Sequence, residues 1–157
     1  MSNTNAYDIL IVEDNPLDLE MTLRGLRKAK VANRIEVARD GAEALEILFR
    51  EGPHAQRHPS DRPHLVLLDL KLPKVDGLEV LARLKADPAT RGIPVVMLTS
   101  SSEQRDLVES YQLGVNSYIV KPVNFEKFVE AMVALGSYWL LLNQAPGPLA
   151  GAEGGAA

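Results

Sequence analysis

Five short runs rich in Val, Ile and Leu alternate with longer amphipathic stretches along this chain, and that alternation limits the fold more than any other feature. The runs are Asp8 to Glu13, Arg34 to Ala38, Leu65 to Leu68, Pro94 to Leu98 and Ser117 to Val120. Each has the length and side-chain type of a strand buried on both faces. Helix signals stand between them. Asn15-Pro16 opens the first helix as N-cap and first residue, with Asp18 in its first turn and Leu19, Leu23 and Leu26 as its apolar face. Asp40 caps the second, with Glu43 in the place of a capping-box partner, and Asp76 caps the third. Ser101 with Gln104 forms a capping box for the fourth, which stops near Gly114, and Asn124 caps a long last helix to about Leu142. No internal repeat is visible.

Strands alternating with helices predict an α/β fold, a parallel sheet with helices on both faces. Right-handed crossovers restrict its topology. A flavodoxin-like (βα)5 doubly wound sheet, strand order 2-1-3-4-5, is the expected arrangement. The expected folded domain spans residues 1–143. Residues 144–157, rich in Ala, Gly and Pro, are expected to be a disordered tail too short to form a second domain.

Composition excludes several chemistries. The 157 residues include no cysteine, so no thiolate metal site, disulfide or cysteine nucleophile can form. The 17 basic against 21 acidic side chains, a formal charge of -4, speak against the basic face of a nucleic-acid module. The first residues lack a basic segment followed by an apolar one, and no apolar run approaches the ~20 residues of a membrane span. A soluble, cytoplasmic protein is expected. His54, His58 and His64 lie in the long polar loop from Glu51 to His64; their irregular spacing and proline-rich surroundings suit a solvated loop better than a metal site.

In open α/β sheets, ligands bind beyond the carboxyl ends of the strands at the topological switch point. For order 2-1-3-4-5 this lies between strands 1 and 3, which end in Glu13-Asp14 and Asp69; strands 4 and 5 end in Thr99 and Lys121. Alone, each has an ordinary explanation: an acid at a strand end caps a helix, and a loop lysine is solvated. Together they share one rim. Clustered carboxylates repel unless a cation joins them, and hard oxygen ligands suit Mg²⁺ or Mn²⁺. A carboxylate nucleophile, a divalent cation, a lysine and a hydroxyl donor point to phosphoryl transfer to an aspartate.

This set, in this order, resembles the receiver domain of two-component response regulators over about Tyr7 to Leu142. Thr99 stands 30 positions and Lys121 52 positions beyond Asp69, both usual for receivers. The resemblance implies that Asp69 accepts a phosphoryl group from a histidine kinase. It implies that Asp14, Asp69 and the Lys71 backbone carbonyl ligate Mg²⁺, with Glu13 acting through a metal-bound water. Lys121 would contact the phosphoryl group. Thr99 and Tyr118 would form the switch pair, and Lys121-Pro122 would be a cis peptide. Such a protein is a phosphoacceptor that assists its own phosphorylation and dephosphorylation rather than an enzyme acting on a separate substrate.

A narrower resemblance follows. Glu13 to Asp18 (EDNPLD), Leu98-Thr99-Ser100-Ser101, Gly114 to Tyr118 (GVNSY) and Tyr138 to Asn143 (YWLLLN) are similar to the small response regulators that partner phytochrome photoreceptor kinases.

The last helix is amphipathic at its start and apolar around its full circumference at its end. An exposed apolar surface marks an interface. A homodimer through the last helix, helix 4 and strand 5 is expected, with Phe128, Met132, Tyr138, Trp139 and Leu142 as interface residues.

Two other classes compete. A metal-dependent phosphatase with an aspartyl-phosphate intermediate would place a second Asp two residues after the nucleophile, where Lys71 stands. A phosphorylation-independent nucleotide- or flavin-binding module would carry a glycine-rich phosphate loop, and neither common pattern occurs.

Overall fold

The structure, a computed structural model, describes residues 7–30, 32–56, 62–100, 104–121 and 124–144; at 7, 33, 104 and 135–144 it describes the backbone alone. The elements run β1 (Tyr7–Val12), α1 (Pro16–Ala29), β2 (Ala32–Ala38), α2 (Gly41–Phe49), a 3-10 turn (Gly52–His54), β3 (Leu65–Leu68), α3 (Gly77–Ala86), β4 (Val95–Thr99), α4 (Gln104–Gln112), β5 (Ser117–Val120) and α5 (Phe125–Gln144). All strand pairs are parallel and the order is β2-β1-β3-β4-β5, as the alternation predicts.

The caps act where the sequence places them. The Asn15 side chain accepts from the Leu17 and Asp18 amides at 2.9 and 3.0 Å, and Pro16 begins the helix without needing a donor. Asp40 accepts from the Glu43 amide at 2.7 Å, and Asn124 from the Lys127 amide at 3.1 Å. Glu43 reaches back one residue further than a capping box requires, to the Arg39 amide at 3.0 Å. β2 begins two residues before the expected Arg34, because Ala32 pairs with Tyr7 of β1; the register shifts at Asn33, which has no partner on β1. α5 runs to Gln144, one residue past the expected domain limit. The Ser101 cap, Pro122 and tail residues 145–157 lie outside the described residues.

Side chains alternate across the sheet and divide the core into two layers. Leu10, Val12, Val66, Leu68, Val95 and Met97 face α2 and α3. Ile9, Ile11, Leu65, Leu67, Val96 and Leu98 face α1 and α5, where Leu19, Leu26, Phe128 and Met132 complete the layer. Gly25 lets the two helices close: a Cβ there would run into the Phe128 ring.

This packing corrects one expectation. Phe128 and Met132 are each 1% exposed and sit in the core, so they are not surface anchors of an interface. They occupy the inward stripe of α5 that covers the sheet. The side chains of Tyr138, Trp139 and Leu142 lie outside the described residues.

In the loop before β3, the His64 ring accepts from the Asp8 amide at 3.2 Å, and its own amide donates to the Asp8 carbonyl at 2.7 Å. His64 is exposed and also tied to the start of β1; His58 lies outside the described residues.

Candidate functional site

Parallel pairing brings the carboxyl ends of β1, β3, β4 and β5 to one rim. The Asp69 amide donates to the Val12 carbonyl at 3.0 Å, and the Lys121 amide to the Thr99 carbonyl at 2.7 Å. Residues immediately beyond the strands are therefore held by the ladders themselves. Glu13 and Asp69 are buried, at 3% and 7% exposure, and Thr99 is fully buried. Asp14 faces solvent.

The Lys121 ammonium lies among these acids. It donates to Glu13 Oε1 at 2.8 Å, to Asp18 Oδ2 at 2.8 Å and to Asp69 Oδ2 at 3.4 Å. Asp69 Oδ1 accepts from the Lys71 amide at 3.3 Å, and Glu13 Oε2 from the Asn15 amide at 3.2 Å. The Lys71 side chain turns the other way, with its ammonium 3.9 Å from the buried Asp106 of α4. Tyr118 is half-buried on the α2/α3 face. It pairs with Met97, two residues before Thr99. Thr99 and Tyr118 thus lie diagonally on the same face of adjacent strands.

The electrostatics follow from burial. Removal from water pushes the Glu13 carboxyl up to about 7, and the Asp69 charge adds to this against the opposing pull of Lys121. Burial works against the Lys121 ammonium, but hydrogen bonds to Asp18 and Glu13 and the charges of Asp69 and Glu13 outweigh it and raise its pKa above the ordinary lysine range.

Glu13, Asp14 and Asp69 each offer an oxygen within 4.8 Å of the others. The donors are hard oxygens, negatively charged and open to solvent at Asp14, so the set fits a small divalent cation such as Mg²⁺ or Mn²⁺.

The structure therefore brings Glu13, Asp14, Asp69 and Lys121 together, with Thr99 at the end of the adjoining strand and the Lys71 backbone beside Asp69. Sequence reading missed Asp18 as a member; it treats this acid as a first-turn residue of α1. The missed signal is that the turn opens two residues after the rim acids, so a first-turn side chain can reach back over them.

The response regulator receiver domain family matches residues 9–133, a span that contains every one of these residues. The chain belongs to this family. Among its relatives is the probable methanogenesis regulatory protein FilR2 of Methanothrix harundinacea, 43% identical over 92% of this chain and 90% of that protein. The solved structure of the bacteriophytochrome response regulator AtBRR is 57% identical, with a TM-score of 0.71 over 85% of this chain and 95% of its own. The phosphorylated cyanobacterial phytochrome response regulator RcpA is 40% identical, with a TM-score of 0.75 over 86% and 94%.

Two predictions arise from the geometry of this receiver domain. Gly77 opens α3 with its amide on the Leu70 carbonyl at 2.8 Å, and a Cβ there would collide with the backbone of Asp69 and Leu70. Backbone cannot swing aside as a side-chain tip can. Gly77→Ala is expected to cost about 1–3 kcal/mol, read by urea denaturation, and to displace the Asp69 loop, read as amide shifts of residues 69–71 by NMR.

Glu13 binds its proton more tightly in the folded than in the unfolded state. Between pH 4.5 and about 7 the folded chain therefore holds the extra proton, and stability falls as pH rises. Across that window, in EDTA, the wild type is expected to lose on the order of 2 kcal/mol relative to Glu13→Gln. Outside it the difference is flat. Parallel denaturation curves at pH 4.5 and 8 check the sign.

Proposed function

We propose that the chain is a response regulator in which Asp69 accepts a phosphoryl group from the phosphohistidine of a sensor histidine kinase. One observation supports this most: a buried carboxylate at a strand end, flanked by two acids within 4.8 Å and by a lysine ammonium at 3.4 Å. In the transfer, Asp69 Oδ2 forms the new P–O bond as the P–N bond breaks, and the electron pair leaves on the histidine nitrogen. Lys121 meets a phosphoryl oxygen and the Thr99 hydroxyl another. Asp14, Asp69 and the Lys71 carbonyl would hold Mg²⁺, or Mn²⁺ in its place, with Glu13 acting indirectly beside them. Once bound, such a cation would supply positive charge against the carboxylates and the transferring oxygens.

Phosphorylation draws Thr99 toward the rim, and Tyr118 turns into the space it leaves. This shifts the population of β5 and α4 arrangements. The protein is a cytoplasmic phosphoacceptor that assists its own phosphorylation and dephosphorylation, not an enzyme with a separate substrate. It signals by protein contacts rather than by binding nucleic acid or a membrane. Among the described residues no helix is long and apolar enough to cross a membrane.

A phytochrome-type photoreceptor kinase is the proposed donor, supported by the identities with AtBRR and RcpA. Labelled transfer from such a kinase is expected to be on the order of 100-fold faster than from histidine kinases of other classes, a margin that about 3 kcal/mol of interface contacts supplies. Equal rates, or preference for a kinase of another class, would overturn the assignment of donor.

A homodimer through α4, β5 and α5 would use surface residues other than the buried Phe128 and Met132. Leu107, Val108 and Tyr111 of α4, Val120 of β5 and Val133 of α5 are all more than a third exposed. In sedimentation velocity the chain is expected to dimerise, and Tyr111→Asp to weaken association at least about tenfold, as burial of an unpaired charge requires. A monomer up to high micromolar concentration, with and without a phosphoryl mimic, would refute the dimer.

A further inference from the structure

We propose that Asp18 is a positioning residue for phosphoryl transfer: from the first turn of α1 it holds the Lys121 ammonium so that one donor stays directed at Asp69. The inference rests on the reading of Asp69 as phosphoacceptor.

An ammonium has three donors and no acceptor. Lys121 spends two of them at 2.8 Å, on Glu13 Oε1 and Asp18 Oδ2, and the third is the long one, 3.4 Å from Asp69 Oδ2. The two short partners come from different elements, the end of β1 and the start of α1, and act as two fixed points. The third donor is the one a phosphoryl oxygen on Asp69 would take over, and neither short bond has to break for it to do so. A lysine needs such tethering because its charge sits on a flexible four-carbon stem. The Lys121 side chain is 8% exposed, while that of Asp18 is 37% exposed. Asp18 therefore closes the solvent side of the ammonium.

Asp18 is itself well placed to do this. Asn15 Oδ1 takes the Asp18 amide at 3.0 Å, which fixes its backbone and leaves its carboxylate for Lys121. Without the carboxylate, the ammonium keeps its bonds to Glu13 and Asp69 alone. It is then free to close down on Asp69 Oδ2, the oxygen that must attack. The plainer role for an acid at this position is to favour the positive end of the helix, an effect independent of Lys121.

The two roles separate experimentally. In the unphosphorylated full chain with ¹⁵N-labelled lysine, the Lys121 Nζ resonance is expected to be protected from exchange in the wild type. It is expected to lose that protection in Asp18→Asn and to regain it in Asp18→Glu. With acetyl phosphate and saturating Mg²⁺, Asp18→Asn is expected to slow phosphoryl uptake about tenfold, with Asp18→Glu restored to within about threefold. Combined with Lys121→Ala, Asp18→Asn is expected to change the rate less than about twofold, because the partner is gone. An unchanged Nζ signal with a wild-type rate, or equal losses in both lysine backgrounds, would overturn the proposal and leave only the helix-end role. If the wild type takes up no phosphoryl group, the phosphoacceptor reading fails instead, and the Nζ signal still decides whether Asp18 tethers the lysine.

Discussion

Asp69→Asn is expected to take up no phosphoryl group under conditions where the wild type gains one, and to keep its fold. The two side chains have the same shape, so nothing in the β3 end has to move. Asn can still offer an oxygen to the Lys71 amide, now at 3.3 Å. What it loses is the charged oxygen that faces Lys121 at 3.4 Å and attacks phosphorus. An amide oxygen is too weak a nucleophile to replace it, so the expected loss exceeds about a thousandfold. The stability change is expected to stay within about 1 kcal/mol, because the lost bond to Lys121 is offset by relief of repulsion with Glu13. Intact mass after incubation with acetyl phosphate and Mg²⁺, beside a thermal melt, checks both halves. Acid-labile phosphate retained on Asp69→Asn would refute Asp69 as acceptor.

Phe128→Ala is expected to be the most destabilising single truncation in the α1/α5 layer, by about 3–5 kcal/mol. The ring is 1% exposed and fills the space that Gly25 leaves open on α1. Removing it leaves a cavity that α1 and α5 can close only by moving together along their length. For a chain of this size the loss corresponds to roughly 6–20 °C in Tm. Val133, five residues on and 43% exposed, provides the contrast: Val133→Ala is expected to change stability by less than about 0.5 kcal/mol. Differential scanning calorimetry of the two variants separates core from surface on the same helix. A small loss at Phe128 would mean that the α1/α5 layer is loosely packed.

The sheet order was legible because the strands are short, fully apolar and separated by capped helices, so their ends fall at identifiable polar residues. The rim follows from those ends: Glu13, Asp14, Asp69 and Lys121 meet because parallel strands deliver their carboxyl ends to one edge. Phe128 and Met132 were misplaced for a different reason. The amphipathic start of α5 shows that an apolar stripe exists but not which surface it meets, and the Phe128 ring fits there only because Gly25 stands more than a hundred positions earlier. Asp18 was missed because its partner is also distant: a first-turn acid satisfies helix rules by itself, so nothing local signals a second role. Lys71 shows a further limit. Its backbone meets Asp69 as its position implies, while its side chain reaches Asp106 on α4, a pairing that spacing alone does not reveal.

Locating the acyl phosphate decides whether Asp69 is the phosphoacceptor of a cation-dependent rim. The chain would be incubated with acetyl phosphate, with Mg²⁺ or with EDTA, then reduced with borohydride, which converts an aspartyl phosphate to homoserine, and mapped by peptide mass. Homoserine is expected at position 69 with Mg²⁺, and unmodified Asp69 with EDTA. Homoserine at Asp14 or Asp18 instead, or no modified peptide at any Mg²⁺ concentration, would contradict that assignment.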